Sequence, residues 1–530
     1  MLKNHPVGFA FCLLLCLSIM PNVSIGQSIS PVVFSGQRLD SDRTIVGVPL
    51  PDQFGGENFC FNGDQILFLA QVDDSSTGQT NNGTIFAGSI SEYKEIARNG
   101  QVIPGDDRTL AFSSFYQPGG ISQLGNATFV CNDNNRDDVL LHYRDDSVSV
   151  LLHQGGLTPD GTARPSFVWR YTYTEQGNFA FFADVFADYG RQTSLFLLRD
   201  GALQEVARTN REIGDTGITT HANGIIPFGS LGLSQSNEVA FPYGGQDRAD
   251  GYLVLNENGD FLDGYMTDFR LTADDGDFCE INVQGTTLFS TNQGSGVYLR
   301  QGGNIVEVFR NNALVPNGNG QFRRFFGNYN QEADLLNENN EVAFSIGLQN
   351  TSLGDENNEA VFRYSLSTAM VEVVRKSEPL PDRLGNFTSM EAYDFNDRGQ
   401  VLLGGTVGNS GLGNDFAYYI HEPDGSFTAI VKRNEQLLGS TIDDIMQLSL
   451  NEQGQVAFGF VLADGAEGIA VWDPNLLGDF NEDGGVGFRD IPPFIQALIS
   501  SNFVVQGDIN QDGSINFADI PSFIDLLLMN

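Results

Sequence analysis

The sequence predicts a mainly β protein, a propeller-like repeat domain of about eight four-stranded blades with a small α-helical module at its C-terminus. Three observations carry that prediction. An N-x-x-G-x-V-A-F pattern recurs eight times between residues 62 and 458. Two alternating apolar stretches follow each copy, which is the period of half-buried strands. Two near-identical Asp/Asn/Gly loops then close the chain, each leading into a one-sided apolar helix.

The first element is an export signal. Met1-Leu2-Lys3-Asn4-His5 precedes an apolar run from Phe9 to Met20, and Ser24-Ile25-Gly26 supplies small residues for cleavage before Gln27. Residues 1–26 therefore read as a secretory signal peptide, too short for a stop-transfer helix. Neither Cys12 nor Cys16 follows the small residue that a lipid-attachment site needs. No second long apolar run appears, so the mature chain is expected to be secreted, extracellular or at the cell surface, with no membrane span. Cys60, Cys131 and Cys279 remain after cleavage, an odd number, and buried packing as small apolar residues is the expected fate of all three.

The repeat occupies residues 27–474. Its clearest copies are NEQGQVAF from Asn451, NENNEVAF from Asn337 and SQSNEVAF from Ser234; NDRGQVLL from Asn396 and EQGNFAFF from Glu175 are close variants. Weaker copies begin at Asn62, Leu124 and Val283. Asn favours turn starts and Gly or Asn accepts positive φ at a turn's end, so N-x-x-G reads as a hairpin turn between two strands. Third strands follow, such as TSLFLLRD from Thr193 and EAVFRYS from Glu359, then fourth strands such as ALQEVART and MVEVVRKS. Eight third strands but only seven fourth strands can be found. The missing one has its form in Pro31-Val32-Val33-Phe34-Ser35-Gly36, so the N-terminus is expected to complete the last blade and close the ring. Anchors from Phe34 to Lys432 are spaced 64, 55, 55, 59, 43, 65 and 57 residues. The 43-residue interval marks a degraded fifth unit and leaves seven blades, or a solenoid, open.

The C-terminal module spans 475–530. DFNEDGGVGFRD at 479–490 and DINQDGSINFAD at 508–519 place oxygen donors at alternate positions, as a hard cation wrapped by a short loop requires. In the first loop Asp479, Asn481 and Asp483 stand at positions one, three and five, the Gly485 carbonyl at seven and Asp490 at twelve. Asp508, Asn510, Asp512, the Ser514 carbonyl and Asp519 repeat them, and Asn516 adds a ninth-position oxygen that Gly487 lacks. Two Ca2+ sites are predicted, the second binding at least as tightly as the first. Ile491, Phe494, Ile495, Leu498 and Ile499 recur as Ile520, Phe523, Ile524, Leu527 and Leu528, a helical stripe that should bury one small shared core.

Loop then exit helix, twice, with no entering helix, resembles a dockerin type I module over residues 478–528. The resemblance implies calcium-dependent attachment to a cohesin-like or other cell-surface partner. Loop positions ten and eleven depart from the family's small hydroxyl residues, being Phe488 and Arg489, then Phe517 and Ala518, so calcium binding carries over and cohesin binding does not. Residues 31–473 resemble the tandem-repeat family named for its NxxGxxAF motif. That likeness implies a propeller-like domain joined to a sorting or docking module.

A formal net charge of −39 with four lysines argues against nucleic acid and anionic membranes as partners. No G-x-S-x-G, H-E-x-x-H, C-x-x-C or P-loop sequence occurs. Of the mature chain's histidines, His142 and His421 fall in third strands, His153 in a fourth, and His221 in a loop. Asp/Asn-rich segments at 73–83 and 273–279 lack the loop pattern and read as solvated turns. Arg98, Arg208, Arg310 and Arg375, with Lys432, recur at one repeat position, where pairing with nearby acids is the simplest role. Three readings stay open. One is an exported calcium-binding protein whose propeller binds a glycan or protein ligand while its module docks it. Another is a polysaccharide-degrading enzyme, an O-glycosyl hydrolase or lyase, carrying that module. The third is a structural cell-surface component. The short, regular loops favour the first.

Overall fold

The structure is a computed structural model that describes residues 29–49, 59–112, 117–174, 176–187, 190–212, 220–225, 231–234, 236–245, 250–267, 279–291, 296–323, 336–379, 385–409, 413–474, 478, 480, 486–500 and 516–529. The signal segment 1–26 lies outside these residues. The chain divides into a repeat unit, Pro31–Val471, and a second unit that groups Met1–Ser30 with Trp472–Asn530.

The repeat unit is an eight-bladed propeller. Blades 1 to 8, in chain order, have as their second strands Gln65–Asp74, Ala127–Asp133, Phe179–Ala187, Val239–Gly245, Thr287–Thr291, Glu341–Gln349, Val401–Asn409 and Val456–Leu462. Blade 3 shows the plan, with Arg164–Tyr173, Phe179–Ala187, Gly190–Arg199 and Ala202–Arg208 side by side and antiparallel. In blade 1 the first strand is broken, so that Arg43–Gly47 and Phe59–Asn62 pair with opposite ends of Gln65–Asp74. The fifth unit is shortened rather than lost: Cys279–Ile281, Thr287–Thr291, Gly296–Gln301 and Asn304–Arg310 form a full blade. Eight blades, not seven, therefore make the ring. First strands of neighbouring blades touch from blade 1 to blade 5 and from blade 7 to blade 8, and Ser440–Leu450 of blade 8 meets Phe59–Asn62 of blade 1, which excludes an open solenoid.

The apolar V-A-F segment reflects burial on both faces of a strand. In blade 3, Phe179, Phe181, Ala183 and Val185 pack with Val130 and Leu140 of blade 2, while the alternate Ala180 and Phe182 pack with Val239 and Phe241 of blade 4. Cys60, Cys131 and Cys279 are buried inside such cores, as expected.

Closure falls where the missing fourth strand predicted it. Ile29–Phe34 pairs with Glu467–Trp472 at the edge of blade 8, and the Ser35 N–H donates to the Glu467 carbonyl at 2.9 Å. His221, expected in a loop, lies instead in the strand Thr220–Ile225, paired with Val239–Gly245.

The second unit contains helices α1, Ile491–Ser500, and α2, Asp519–Met529. Pro492 and Pro521 sit in their first turns, where the lost N–H costs little. Phe494 and Phe523 meet at 4.2 Å between ring centroids, and Val486, Phe480, Ile491, Leu498, Ile520 and Leu527 surround them. The expected shared core thus forms, but narrower than the stripe suggested. Ile495, Ile499 and Ile524 stay outside it, at 46%, 73% and 48% exposure, because each short helix turns one side toward the other.

Candidate functional sites: metal centres and the inter-blade turn ring

Of the predicted calcium ligands, Asp490, Asn516 and Asp519 lie among the described residues. Asp479, Asn481, Asp483, Gly485, Asp508, Asn510, Asp512 and Ser514 lie outside them. The described part is the same in both copies. At position twelve the Asp490 carboxylate accepts the Gly487 N–H at 2.8 Å, and the Asp519 carboxylate accepts the Asn516 N–H at 2.8 Å. Both carboxylates are fully buried. Each side chain thus closes back on the N–H three residues earlier, across the turn that leads into its helix, in the manner of one half of a capping box. The Asn516 side chain also closes the turn that leads into α2, its Oδ1 accepting the Ala518 N–H at 2.8 Å. In the first copy Asp490 additionally accepts the Phe480 N–H at 2.7 Å, tying loop position two to position twelve. The donor set suits a hard cation. Fixed, buried carboxylates at the foot of a short acidic loop are what Ca2+ takes, and each such oxygen has a second lone pair to offer.

A second group with metal-ligand chemistry sits on blade 2, where one donor atom each from Asp133, Asp137 and His153 falls within 4.8 Å of the others. A cation already stands among them. The Arg108 guanidinium lies 3.0 Å from Asp133 and 3.5 Å from Asp137, and 2.9 Å from His153 Nδ1. It also pairs with Asp106 at 2.5 Å, which holds that carboxyl well below the ordinary carboxylate range. A metal would have to expel this arginine from four partners, so the group is a satisfied charge network.

That network is one variant of a device repeated around the ring. In the fourth strands a bulge inserts one residue between two positions that would normally alternate, as where Ile85 and Phe86 pair with Ala97 and Glu95. Residues three apart, which in a regular strand point to opposite faces, are thereby brought together. Arg98 pairs with Glu95 at 2.5 Å, Arg310 with Glu307 at 3.5 Å, Arg375 with Glu372 at 2.5 Å, and Arg208 with Glu205. Lys432 instead lies 6.0 Å over the Tyr419 ring. The recurrent basic position is thus accounted for by local pairing. Blade 2 has His153 and Val150 where those blades have Arg and Glu, and Arg108 supplies the charge.

In five of the eight blades the first-to-second-strand turn begins with the motif Asn, at Asn62, Asn282, Asn337, Asn396 and Asn451, and in blades 5 to 8 that Asn has two jobs. Its Oδ1 accepts N–H groups of its own turn; Asn451 Oδ1 takes those of Gln453 and Gln455 at 3.0 and 2.8 Å. The residue at the turn's end has positive φ, +83° at Gly454, +76° at Gly399 and +61° at Asn340, as the N-x-x-G reading requires. The second job was not visible in sequence. Asn Nδ2 donates to the turn of the next blade: Asn282 to the Asn337 carbonyl (3.0 Å), Asn337 to Asn396 (3.1 Å), Asn396 to Asn451 (3.0 Å), Asn451 to Gly63 (2.5 Å) and Asn62 to Ile121 (3.1 Å). A parallel row runs one residue on, where the carboxylates of Glu338, Asp397 and Glu452 accept the N–H of Val283, Glu338 and Asp397. Burial pushes the Asp397 carboxyl up, against the pull of the Glu338 N–H. Residues 73–83, read as a solvated turn, form the hairpin between Gln65–Asp74 and Gln79–Ser89, in which Asp74 accepts the Ser76 N–H at 2.9 Å. The segment 273–279 lies outside the described residues except for Cys279.

Residues 278–475, blades 5 to 8, match the model of a family of unknown function (DUF7453). No curated protein matches the chain. Among solved structures, the chain is similar to a puromycin-hydrolyzing peptidase of Mycobacterium tuberculosis, at 10% identity and a TM-score of 0.38, covering 79% of this chain and 61% of that one. It is similar also to the WD40 domain of SCAP from fission yeast, at 11% identity and a TM-score of 0.35, covering 84% and 97% of the two chains. Virginiamycin B lyase from Staphylococcus aureus matches at 11% identity and a TM-score of 0.28, over 68% and 96%. The chain spans less than two thirds of the peptidase's length.

Proposed function

We propose that this is an exported calcium-binding protein in which the propeller binds a glycan or protein ligand and the C-terminal module, carrying two Ca2+, docks it to a cell-surface protein partner. The observation that supports the calcium reading most directly is the equivalence of the two helix starts, where Gly487 and Asn516 donate to Asp490 and Asp519 at the same distance. Two copies of one loop-helix unit, each with a buried carboxylate at position twelve, fit a loop sequence that offers oxygens at positions one, three and five to a hard cation. Docking is supported by what the module leaves uncovered. Phe488 and Phe517, both at loop position ten, are 54% and 77% exposed, and Ile495 and Ile524 repeat that equivalence along the helices. Exposed apolar pairs of this kind suit a protein partner.

The test has two arms. Calorimetry should count two Ca2+ per mature chain and one fewer in the Asp508→Ala, Asp512→Ala double variant; an unchanged count sinks the calcium assignment. Incubation with insoluble polysaccharides, with calcium and with chelator, reads the propeller. Retention without released sugar fits a binding domain, whereas released sugar makes the protein an enzyme and ends the binding-only reading.

A further inference from the structure

We propose that the outer edge of blade 8 is a strand-accepting site that takes residues 29–36 from a second copy of this chain as well as from its own, so that two copies can be joined by exchanging N-terminal strands. In blades 1 to 7 the fourth strand continues from the third through a short turn, formed in blade 3 by Asp200 and Gly201. In blade 8 the two neighbours come from opposite ends of the repeat, and Ser35 bonds to Glu467, 432 residues away. Ile29–Phe34 thus lies on Glu467–Trp472 as a ligand lies in a site.

The site reads this segment through main-chain pairing and side-chain pockets, the two components of strand addition to a sheet edge. Ser35 brackets Glu467: its N–H donates to the Glu467 carbonyl at 2.9 Å, its hydroxyl donates to the same carbonyl at 3.1 Å, and that hydroxyl accepts the Glu467 N–H at 3.3 Å. This fixes the register. Val33 and Val32, at 0% and 7% exposure, enter one core with Ile469 and Val471 of blade 8 and Phe68 and Phe86 of blade 1. Gly468 leaves room at the closest approach, where a Cβ would stand 2.9 Å from the Phe34 Cβ. Blade 1 completes the groove. The Tyr93 hydroxyl donates to the Val32 carbonyl at 3.2 Å, and Glu467 Oε1 accepts the Val48 N–H at 3.1 Å, which holds the accepting strand against its neighbour.

What the groove recognises is the segment itself, so the same segment supplied by a second copy makes the same contacts. The two arrangements differ at the tether to blade 1. There Gly36 has a φ of +91° and open space where a side chain would stand, the freedom that a hinge needs. Next to it the Gly36 N–H donates to the Ile45 carbonyl at 2.7 Å and the Leu39 N–H to the Arg43 carbonyl at 3.0 Å. Exchange must open or re-form those bonds, so it is slow in a sealed ring and favoured when chains fold together at high concentration. An exchanged pair is reciprocal, each copy giving one strand and accepting one. The assembly therefore closes at two copies and leaves neither blade 8 with an open edge.

Complementation between two full-length variants tests this. Val33→Asp spoils the strand and leaves the groove intact, whereas Gly468→Val blocks the groove and leaves the strand intact, so neither is expected to seal its own ring. Refolded together they should form a 1:1 complex by light scattering, in which the strand of the Gly468→Val chain resists limited proteolysis about tenfold longer than in that chain alone. A mixture that behaves as the sum of its parts, whether as separate monomers or as two misfolded chains, overturns the proposal. Rescue of the Val33→Asp chain by a peptide of residues 29–36, but not by the Gly468→Val chain, overturns the second copy as occupant. A Ser35→Cys, Glu467→Cys chain checks the same point with the groove open. Refolded and oxidised over about a hundredfold range of concentration, it should pass from disulfides within one chain to disulfides between two, and monomers throughout would overturn exchange.

Discussion

At the residue scale, the repeat is written in turn chemistry. Gly454 shows the constraint most sharply: φ is +83°, and a Cβ there would stand 2.9 Å from Gln400 Oε1 of the preceding blade. Gly454→Val should destabilise the propeller by about 1 kcal/mol or more, since a β-branched residue pays the left-handed backbone cost and meets a neighbour as well. An unshifted melting temperature would contradict it. The turn was legible in sequence because everything that makes it lies within five residues: an Asn oxygen, two N–H groups and a residue tolerant of positive φ. The Nδ2 donation was not legible. Its acceptor lies 55 or 59 residues away, and 388 away where Asn451 reaches Gly63, so only the fold says that the two turns are neighbours. His153 was similarly opaque. As a strand residue it looks unremarked, and its environment is set by Asp133 and Arg108, which come from two other segments.

At the element scale, strand order could be read from sequence while strand register could not. The recurrent Arg of the fourth strands reads in sequence as a charge pairing with nearby acids, as it does; the bulge that brings it to the Glu three residues earlier is a feature of pairing, not of composition. The closure was readable, because one fourth strand was missing and one orphan segment fitted it. Its tightest point is Gly468, where an added Cβ would run into the Val33 carbonyl and come within 2.9 Å of the Phe34 Cβ. Gly468→Val is therefore expected to dislodge Ile29–Phe34 and expose it to limited proteolysis, with a lower melting temperature. A variant that remains as protected and as stable as the parent would show that the strand tolerates displacement. The helical stripes of α1 and α2 failed in the opposite sense, since an apolar period states what a helix could bury and not how many neighbours it has. One partner covers Phe494 and Leu498; among the described residues nothing in the module's core covers Ile495.

At the scale of the whole molecule, two cores of very different size should respond separately to solution conditions. The propeller is stabilised by stacked inter-blade cores, the C-terminal module by a handful of aromatic and aliphatic side chains around Phe494 and Phe523. Small cores are marginal without a bound ion or cross-link. Chelation should therefore abolish or lower one minor calorimetric transition and leave the major one in place; a single transition that moves as a whole would mean that the units unfold together. The N-terminal closing strand also has a consequence in time. The partner of Ser35 is Glu467, 432 residues later in the chain, so the first strand to be synthesised is the last able to find its place. Until then the edge formed by Glu467–Trp472 is an open template for any passing strand, and the long-range contact that seals it must bear the loop-closure entropy of the whole ring. Sealing of the ring is thus expected to wait on completion of the eighth blade, and a chain clipped before residue 35 would be expected to accumulate as an unsealed, association-prone ring.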